Sequence, residues 1–577
     1  MPAVEIASLS LEQKVSLLSG RDFWSTRALD VGVPSVVMTD GPHGVRLQAD
    51  DFGQMGLHAS RPATCFPPAV AVGSSWDPDL AARVGAAVGR EARALGVHVV
   101  LGPGVNIKRS PLCGRNFEYY SEDPLLSGVL AAAHVRGQQA QGVGASVKHF
   151  AANNQETDRM RVSADVDERT LREIYLPPFE RVVTEAIPAT VMAAYNRING
   201  VHACENRWLL TDVLRDEWGF AGVVVSDWGG VNDAVAAVRA GLDLQMPGPA
   251  DADGLRLLAA VRAGELDEAA VDEAVRRVLA LAGFADVEQA EPVDLESHHA
   301  LARELAAECA VLLKNDDVLP LTAGQRIAVI GEFARTPRYQ GGGSSHINPT
   351  QVDAALDAIA SLTADVQFAP GFSLDEGTDG AALRDTAVGL ARSADVAVVF
   401  AGLGAREESE GFDRATLDLP PDQVALIRAV AAVAPRTVVV LSHGGVVSLE
   451  GWVDDVDAVL DCSLLGQAGG GATADLMFGL VNPSGHLAET IPIRLEHTPS
   501  YVNFPGEQGH VRYGEGVMVG YRWYETVGLP VRYPFGHGLS YTTFATTDVA
   551  VESTGTDSAR VTVTVSNTGA RLGKHVV

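Results

Sequence analysis

The chain has 577 residues, of which 46% are hydrophobic and 20% are charged. At roughly 150 residues per domain, this length predicts two to four domains with buried cores and excludes a disordered chain or a coiled coil as an overall description. Acidic residues outnumber basic ones 73 to 44, and the resulting net charge of −29 argues against nucleic acid or anionic membranes as partners.

The amino-terminal segment MPAVEIASLSLEQK has neither the basic nor the apolar part of a secretory signal. No apolar stretch approaches the twenty or so residues that a membrane helix needs, so we expect a cytoplasmic protein with no membrane partner. The cysteines lie far apart without CxxC spacing, which predicts buried thiols and neither a disulfide framework nor a zinc site. They are Cys65, Cys113, Cys204, Cys309 and Cys462.

Short apolar runs alternate with helix-like stretches between about residues 31 and 285, as in a parallel sheet with helices packed outside. Apolar residues recur at helical spacing after Asp77 and Pro78 and before Gly96, which predicts one of these helices. About 250 residues of such units match the size of a (β/α) barrel. The predicted strands are 36–40, 99–106, 145–150, 190–196, 223–227 and 242–246.

Catalytic side chains of such barrels lie at the carboxyl ends of the strands, so we expect one shared site there. The residues predicted to point into it are Asp40, Asn106, Lys148, His149, Tyr195 and Asp227.

A second α/β region begins near residue 326, with apolar runs over 326–331, 394–402, 437–442 and 456–463. It predicts a second parallel sheet that is too short to close into another barrel. From about residue 543 the pattern changes, since Val561, Val563 and Val565 alternate with polar residues as in a half-buried antiparallel strand. About thirty-five residues remain there, fewer than the roughly 100 of an immunoglobulin-like sandwich, so we expect an incomplete final domain.

The segment GVVVSDWGG, residues 222–230, ends a buried strand in an acid that is followed directly by an aromatic residue. A carboxylate at a rigid strand end beside an indole can hold and attack a sugar ring, because the C–H face of the ring stacks on aromatics. The alternative is that Asp227 only caps the next helix. The segment by itself leaves both interpretations open.

Two basic side chains, Lys148 and His149, follow the apolar run 145–147. The chain has 5 lysines and 39 arginines, so a compact ammonium replaces the usual guanidinium at this strand end. Lys148 could donate to sugar hydroxyls, form a Schiff base as in a barrel aldolase, or simply pair with a carboxylate. Arg115, in SPLCGRNFEYYSEDP, and Asp40, in TDGPHG, could equally be ordinary salt-bridge or turn residues.

Eight ordered segments together are more specific than any one of them. They are DGPHG, GRNFEYYSEDP, KHFAANNQ, MAAYNRING, VVVSDW, GGGSS, SEGFDR and YPFGHGLSYTTF, and they resemble glycoside hydrolase family 3, the β-glucosidase group. The resemblance runs from about Leu9 to the last residue. It implies a TIM-like (β/α) barrel over 1–290, a connecting segment with a helix over 291–322 and an α/β sandwich over 323–500. An extended connection over 501–542 and the start of a fibronectin type III-like β-sandwich over 543–577 would follow.

The resemblance implies that Asp227 is the nucleophile and that a glutamate on a second-domain loop is the acid/base. We choose Glu410, which matches the glutamate of the family's EG-x-DR pattern, and interpret Glu407 and Glu408 as exposed loop charges. The segment 342–345 resembles a glycine-rich loop that closes over the site. The implied sugar-binding residues are Asp40, Arg115, Lys148, His149, Tyr195 and Trp228, with Met192 at their border.

Retaining glycosidases need two carboxyl groups about 5–5.5 Å apart with opposite protonation. We expect cationic neighbours to hold Asp227 ionised and desolvation to raise the pKa of Glu410. Asp40 would accept hydrogen bonds from two sugar hydroxyls. No metal or organic cofactor is required by this chemistry.

The predicted function is exo-acting hydrolysis of terminal β-D-glucosyl residues of oligosaccharides or aryl and plant glycosides, with retention through a glycosyl-Asp227 intermediate. The predicted partner is a small-molecule glucoside, and the oligomeric state is open, a homo-oligomer included. A β-xylosidase or α-L-arabinosidase of the same family is the nearest alternative. A lyase that uses Lys148 as an imine-forming base and a non-catalytic sugar-binding protein are alternatives from other classes.

Overall fold

Two largely parallel sheets organise the chain in the computed structural model, which describes residues 4–48, 60–286, 288–375 and 380–577. The first sheet belongs to a TIM-like domain and the second to an α/β sandwich. Within the described residues, no helix combines the length and the apolar character needed to cross a bilayer. The five cysteines are buried free thiols, as predicted.

The first sheet has five parallel strands in chain order. Beyond its last strand, Leu244 forms a bridge to Val225 and Gln245 forms one to Ser19, while residues 25 and 37 are bridged beside the first strand. Isolated bridges, in place of full strands, therefore connect the last strand of the sheet to the first. The strands are Met38–Asp40, Val99–Leu101, Gly144–Phe150, Thr190–Ala193 and Val223–Ser226.

Four of the six predicted strands are longer than the observed ones, and another is not a strand. The run 36–40 enters the sheet only at Met38, and the run 223–227 leaves it at Ser226. The runs 99–106 and 190–196 leave the sheet at Leu101 and Ala193. The run 242–246 forms only bridges, because Pro247 and Pro249 follow it and lack the N–H groups that would continue a ladder.

Helices surround the first sheet, and the predicted helix is Pro78–Ala94. Asp77 accepts hydrogen bonds from the N–H groups of Asp79 and Leu80, which satisfies amides that the helix start leaves free. Leu80 and Val84 are buried on its inner face. The other helices of this region are Leu11–Leu17, Ala69–Ser75, Pro124–Gln139, Glu168–Thr170, Pro177–Ala186, Ala234–Ala240, Asp251–Arg262 and Glu268–Leu281, with π-helices at Leu171–Tyr175 and Trp208–Glu217.

The second sheet has six strands, and its central strands are the four predicted apolar runs. In spatial order they are Val366–Ala369, Ile327–Ile330, Val396–Gly402, Thr437–Ser442, Ala458–Asp461 and Val311–Asn315. Both edge strands were missed from the sequence, and the last of them is antiparallel. Val311–Asn315 lies inside the predicted connecting segment 291–322. The helices are Leu295–Cys309, Ala355–Leu362, Gly380–Ser393, Pro421–Ala431 and Gly469–Met477.

The segment 501–542 is more ordered than an extended connection. Its strand His510–Arg512 pairs in parallel with Ser163–Asp165 of the first domain. The buried Arg109 and Glu515 form an ion pair between the barrel and this segment. The helix Tyr521–Val527 and the strand Val531–Tyr533, which pairs with Ile491–Pro492, complete the segment. The segment 501–542 therefore packs against loops of the first domain.

A two-stranded hairpin, Phe544–Ser553 with Ala559–Asn567, follows this segment. The predicted antiparallel strand with alternating valines is present. Its valine face is more exposed than expected, however, since Val561 is 62% and Val565 39% exposed and only Val563 is half-buried. The β-sandwich in this part of the chain stays a prediction.

We expect Leu460→Ala to destabilise the second domain by about 2–5 kcal/mol, because Leu460 is fully buried in a central strand and its removal leaves a cavity. Urea denaturation measures this change. Leu480→Ala is the matched control, since Leu480 is 63% exposed. Equal losses in the two variants would contradict the assignment of this strand to the core.

Candidate active site

A cavity of about 170 Å³ lies where the carboxyl ends of the barrel strands meet loops of the second domain. Nine of the ten residues proposed for the site from the sequence line it, all but Asn106: Asp40, Arg115, Lys148, His149, Met192, Tyr195, Asp227, Trp228 and Glu410. Ser344, from the loop that was expected to close over the site, also lines it, as do Phe23, Trp24 and Arg46, which sequence reasoning missed.

Asp227 directly follows the strand Val223–Ser226 and presents one free carboxylate oxygen. The N–H of Trp228 donates to Asp227 Oδ1 at 2.7 Å. Asp227 Oδ2 is buried, accepts no hydrogen bond from any described residue and lies 3.8 Å from His149 Nε2. The fixed Oδ1 orients the carboxylate and leaves Oδ2 without a hydrogen-bond partner among the described residues.

Aromatic side chains form one wall of the cavity. Trp228 Nε1–H donates to the carbonyl of Phe23 at 2.8 Å, and the Tyr195 hydroxyl donates to the carbonyl of Trp228 at 3.1 Å. The rings of Trp24 and Trp228 have their centroids 5.7 Å apart. These contacts hold the indole of Trp228 beside Asp227, where it can stack on a sugar ring.

Asp40 and Lys148 form a buried pair between the first and third strands of the sheet, across the strand Val99–Leu101. Asp40 ends the first strand, and Lys148 Nζ lies 3.4 Å from its Oδ1. Burial raises the pKa of Asp40 to about 6, although the charge of Lys148 opposes this. Lys148 therefore has the carboxylate partner that one sequence interpretation gave it, and it also reaches the cavity.

His149 is neutral and is held through its own peptide group. Burial, with Arg115 and Lys148 nearby, keeps the pKa of His149 well below its usual value. Its backbone N–H donates to Asn106 Oδ1 at 2.8 Å, and Asn106 Nδ2–H donates back to its carbonyl at 2.9 Å. Asn106 was predicted to point into the site. Instead, it fixes the backbone behind His149 and does not line the cavity.

Glu410 reaches the cavity from the second domain, where two arginines and a backbone N–H lie close to its carboxylate. Arg159 Nη1 lies 2.8 Å from Glu410 Oε1, and Arg115 Nη1 lies 3.9 Å from the same oxygen. The N–H of Ser344 donates to Oε2 at 2.6 Å. Arg115 is itself paired with Glu118 at 2.6 Å.

The two carboxyl groups titrate in the reverse of the expected order. Burial by itself would raise the pKa of Glu410, but Arg115, Arg159 and the N–H of Ser344 together lower it well below its usual value. Burial raises the pKa of Asp227 against the charges of Arg115 and Lys148. The expectation of a raised Glu410 pKa was wrong because Arg159 was not foreseen.

The loop that carries Glu410 is attached to the barrel through Asp413. The carboxylate of Asp413 accepts hydrogen bonds from the N–H of Gly114 at 3.1 Å, the N–H of Glu156 at 2.9 Å and the N–H of Thr157 at 2.8 Å. The hydroxyl of Thr157 also donates to it, at 2.7 Å. Asp413 thus joins two barrel loops to the second-domain loop.

The glycine-rich loop 341–345 contacts both domains at the cavity. Arg46 Nη1–H donates to the carbonyls of Gly343 at 3.1 Å and Ser344 at 2.6 Å. A Cβ on Gly343 would lie 2.4 Å from the Cβ of Glu410, and the φ of +113° there also favours glycine. The loop can approach Glu410 only because position 343 has no side chain.

The neighbouring acids of the loop do not line the cavity. Glu407 is exposed, as expected, and accepts a hydrogen bond from the N–H of Gly404. Glu408 was expected to be exposed as well, but it is 2% exposed and accepts hydrogen bonds from the N–H groups of Gly444 and Gly445. Its carboxylate satisfies buried amides of the second domain.

A buried carboxylate at a barrel strand end, sharing a cavity with a second carboxylate from another domain, is an arrangement suited to glycosidic bond hydrolysis. The fold and the site thus define a glycoside hydrolase.

Two domain families match the chain. The Glycosyl hydrolase family 3 N terminal domain matches residues 24–281, and the Glycosyl hydrolase family 3 C-terminal domain matches residues 310–541. Together they cover most of the sequence, and the chain belongs to glycoside hydrolase family 3.

Relatives of known name carry two different activities at the same identity. The exo-alpha-(1->6)-L-arabinopyranosidase of Bifidobacterium longum is 51% identical over 578 residues, which cover 98% of this chain and 76% of the relative. The thermostable beta-glucosidase B of Acetivibrio thermocellus is 51% identical over 582 residues, which cover 99% of this chain and 77% of the relative.

Solved structures of beta-glucosidases are similar over nearly the whole chain. The Bifidobacterium adolescentis enzyme superposes with a TM-score of 0.93 at 51% identity and covers 98% of this chain and 82% of its own. Beta-glucosidase 3B of Thermotoga neapolitana in complex with glucose has a TM-score of 0.89 at 36% identity, covering 98% of this chain and 86% of its own.

We expect Gly343→Ala to lower kcat/KM on an alkyl glycoside at least about tenfold, because the new Cβ displaces the Glu410 side chain and every 1.4 kcal/mol of lost transition-state stabilisation is a factor of ten. Gly324→Ala is the matched control, since Gly324 has a φ of +94° and nothing lies within 4 Å of its added Cβ. Steady-state kinetics and thermal melting separate the two effects. Similar kinetics in both variants would argue against the contact with Glu410.

Proposed function

We propose that the protein is an exo-acting, retaining β-glucosidase in which Asp227 is the nucleophile and Glu410 is the acid/base. The observation that carries the proposal is the shared cavity. In it, a barrel carboxylate with one free oxygen and a second-domain carboxylate line the same space of about 170 Å³. A space of this size suits a single sugar ring, which supports removal of one terminal residue at a time.

In the first half of the reaction, Asp227 Oδ2 forms a bond to C1 of the sugar as the bond from C1 to the leaving oxygen breaks. Glu410 gives its proton to that oxygen, so the aglycone departs as a neutral alcohol. In the second half, Glu410 takes a proton from water, whose oxygen bonds to C1 while the bond to Asp227 breaks. Two inversions at C1 give overall retention.

The electrostatics of the free site favour the second half of this cycle. Arg115 and Arg159 hold Glu410 ionised, which is the form that accepts a proton from water. The first half needs a protonated Glu410 beside an ionised Asp227. Because the pKa of Asp227 is raised and that of Glu410 is lowered, a proton shared by these two carboxyl groups resides mostly on Asp227. The arrangement that the first half needs is therefore the less populated one.

Sugar recognition is proposed for the polar side chains on the barrel side of the cavity. Asp40 would accept hydrogen bonds from hydroxyl groups, while Arg115 and Lys148 would donate to them. His149, which is neutral, can donate or accept. Trp228 would stack on the C–H face of the ring, with Tyr195 and Met192 bordering it.

The comparisons support glucose as the sugar, since several relatives and solved structures are named beta-glucosidases and four of those structures are complexes with glucose. The second candidate is α-L-arabinopyranoside hydrolysis, which the Bifidobacterium longum relative favours at equal identity. A panel of aryl β-D-glucoside, β-D-xyloside and α-L-arabinopyranoside decides between them. A higher kcat/KM on either pentoside than on the glucoside would overturn the glucosidase proposal.

We expect Asp227→Ala to keep at most a few per cent of wild-type activity on any β-glucoside, because no nucleophile remains. Glu410→Ala should reduce hydrolysis of alkyl glucosides far more than that of aryl glucosides with good leaving groups, since only the former need a proton donor. Both comparisons use kcat/KM at one pH. Equal losses of Glu410→Ala on the two substrates would assign the acid to another residue.

We expect glucose to bind more weakly as the pH falls through about 6, because the raised pKa of Asp40 means that its accepting carboxylate is lost there. Calorimetry should give an affinity about tenfold lower at pH 5 than at pH 7, one pH unit below the pKa leaving about a tenth of the group ionised. Asp40→Asn should bind weakly at both pH values. Asp216→Asn, on an exposed helix face, should keep the wild-type dependence.

A further inference from the structure

Two carboxylates share one guanidinium nitrogen at the edge of the cavity. Arg159 Nη1 lies 2.7 Å from Glu156 Oε2 and 2.8 Å from Glu410 Oε1. The side chain of Glu156 is 1% exposed and that of Glu410 is 12% exposed, so water screens neither contact well. Of these three residues, only Glu410 is among the described residues that line the cavity.

Glu156 also holds the backbone next to Glu410. Its Oε2 accepts a hydrogen bond from the N–H of Gly411 at 2.8 Å. Arg159 in turn lies over the ring of Tyr195, with 5.3 Å from the guanidinium carbon to the ring centroid. Both residues are therefore fixed on the barrel side and act on Glu410 across the boundary between the domains.

We propose that Glu156 and Arg159 are positioning residues that set how readily Glu410 takes up and releases its proton. The inference rests on the proposed role of Glu410 as acid/base. That role requires the carboxyl group to be protonated in one half of the cycle and ionised in the other. If Arg159 paired with Glu410 alone, it would stabilise the ionised form of Glu410 too strongly for Glu410 to be protonated in the first half of the reaction.

The charges around Glu410 are arranged in the same way on two sides. Arg115 is paired with Glu118, and Arg159 is paired with Glu156, so each cation near Glu410 has a second carboxylate partner. The other groups facing Glu410 are Asp40, the Tyr195 hydroxyl and the N–H of Ser344. Of the two pairs, only Glu156–Arg159 touches Glu410 closely enough for a direct hydrogen bond.

The titration of Glu156 agrees with a shared cation. Burial raises the pKa of Glu156 to about 7, despite the charges of Arg115 and Arg159. Glu156 is thus ionised mainly above neutral pH, where it draws part of the charge of Arg159 away from Glu410. Below that pH it becomes neutral, and Arg159 then stabilises the ionised form of Glu410 more strongly.

The test follows the hydrolysis of a trapped 2-deoxy-2-fluoroglucosyl enzyme as a function of pH. Asp227 is esterified in this species, so the loss of rate on the acid side reports proton uptake by Glu410. We expect Arg159→Gln to move the midpoint of this loss up by about one pH unit, because a cation has been removed. Glu156→Gln should leave the midpoint unchanged, because Glu156 is already neutral at the lower pH where Glu410 takes up its proton.

Three further measurements keep the test decisive. Arg159→Lys retains the charge and should keep the midpoint near that of the wild type. Arg161→Gln is the matched control, because Arg161 forms an exposed 2.6 Å ion pair with Asp158 in the same loop and should shift nothing. Thermal melting identifies variants that do not fold. A purely structural role would slow hydrolysis at every pH without moving the midpoint, and that result would overturn the inference.

Azide separates this inference from the proposed function. Azide attacks the glycosyl enzyme without a base, so it should restore turnover to Glu410→Ala if Glu410 is the acid/base. Rescue of Glu410→Ala without any shift of the midpoint in Arg159→Gln would overturn the inference alone. Failure of rescue would overturn the role of Glu410 and the inference with it.

Discussion

The site depends on two cations at the boundary between two domains, one buried (Arg115) and one half-buried (Arg159). Arg115 and Arg159 belong to barrel loops, yet both reach Glu410 of the second domain. Buried charges are costly unless carboxylates pair with them, and Glu118, Glu156 and Glu410 provide that pairing. Separating the domains would leave these charges without part of their compensation. The same contacts that hold the domains together therefore determine the protonation of Glu410.

The SEGFDR segment combines chemistry with attachment. Glu410 supplies the carboxylate, while Asp413 accepts hydrogen bonds from two barrel loops. Arg414 donates to the carbonyls of Gly445 and Val446 within the second domain. The carboxylate is thus placed by hydrogen bonds on both sides of it along the loop. These hydrogen bonds fix a surface loop with the precision that two reacting carboxylates need.

Much of the site could be predicted because parallel strands of a barrel end at one edge. Asp40, Lys148 and Asp227 follow apolar runs, and the strand-end rule brings them together without knowledge of the packing. Arg159 and Arg46 follow no such rule. Arg159 is 251 residues from Glu410, so nothing local to either residue indicates the contact. The error on Asn106 has the same origin, because its amide turns toward the backbone of His149.

The sequence by itself determined the order of the domains, the strands that form the centre of each sheet and the residues at their ends. These features depend on local apolar patterns and on motif order, which are readable along the chain. Only the tertiary structure decided which carboxyl group is ionised, that Glu408 is buried in the second domain, and that Arg159 contacts Glu410. Those outcomes depend on burial and on charges brought together from distant parts of the chain, and electrostatic energies follow distance in space, not separation in sequence.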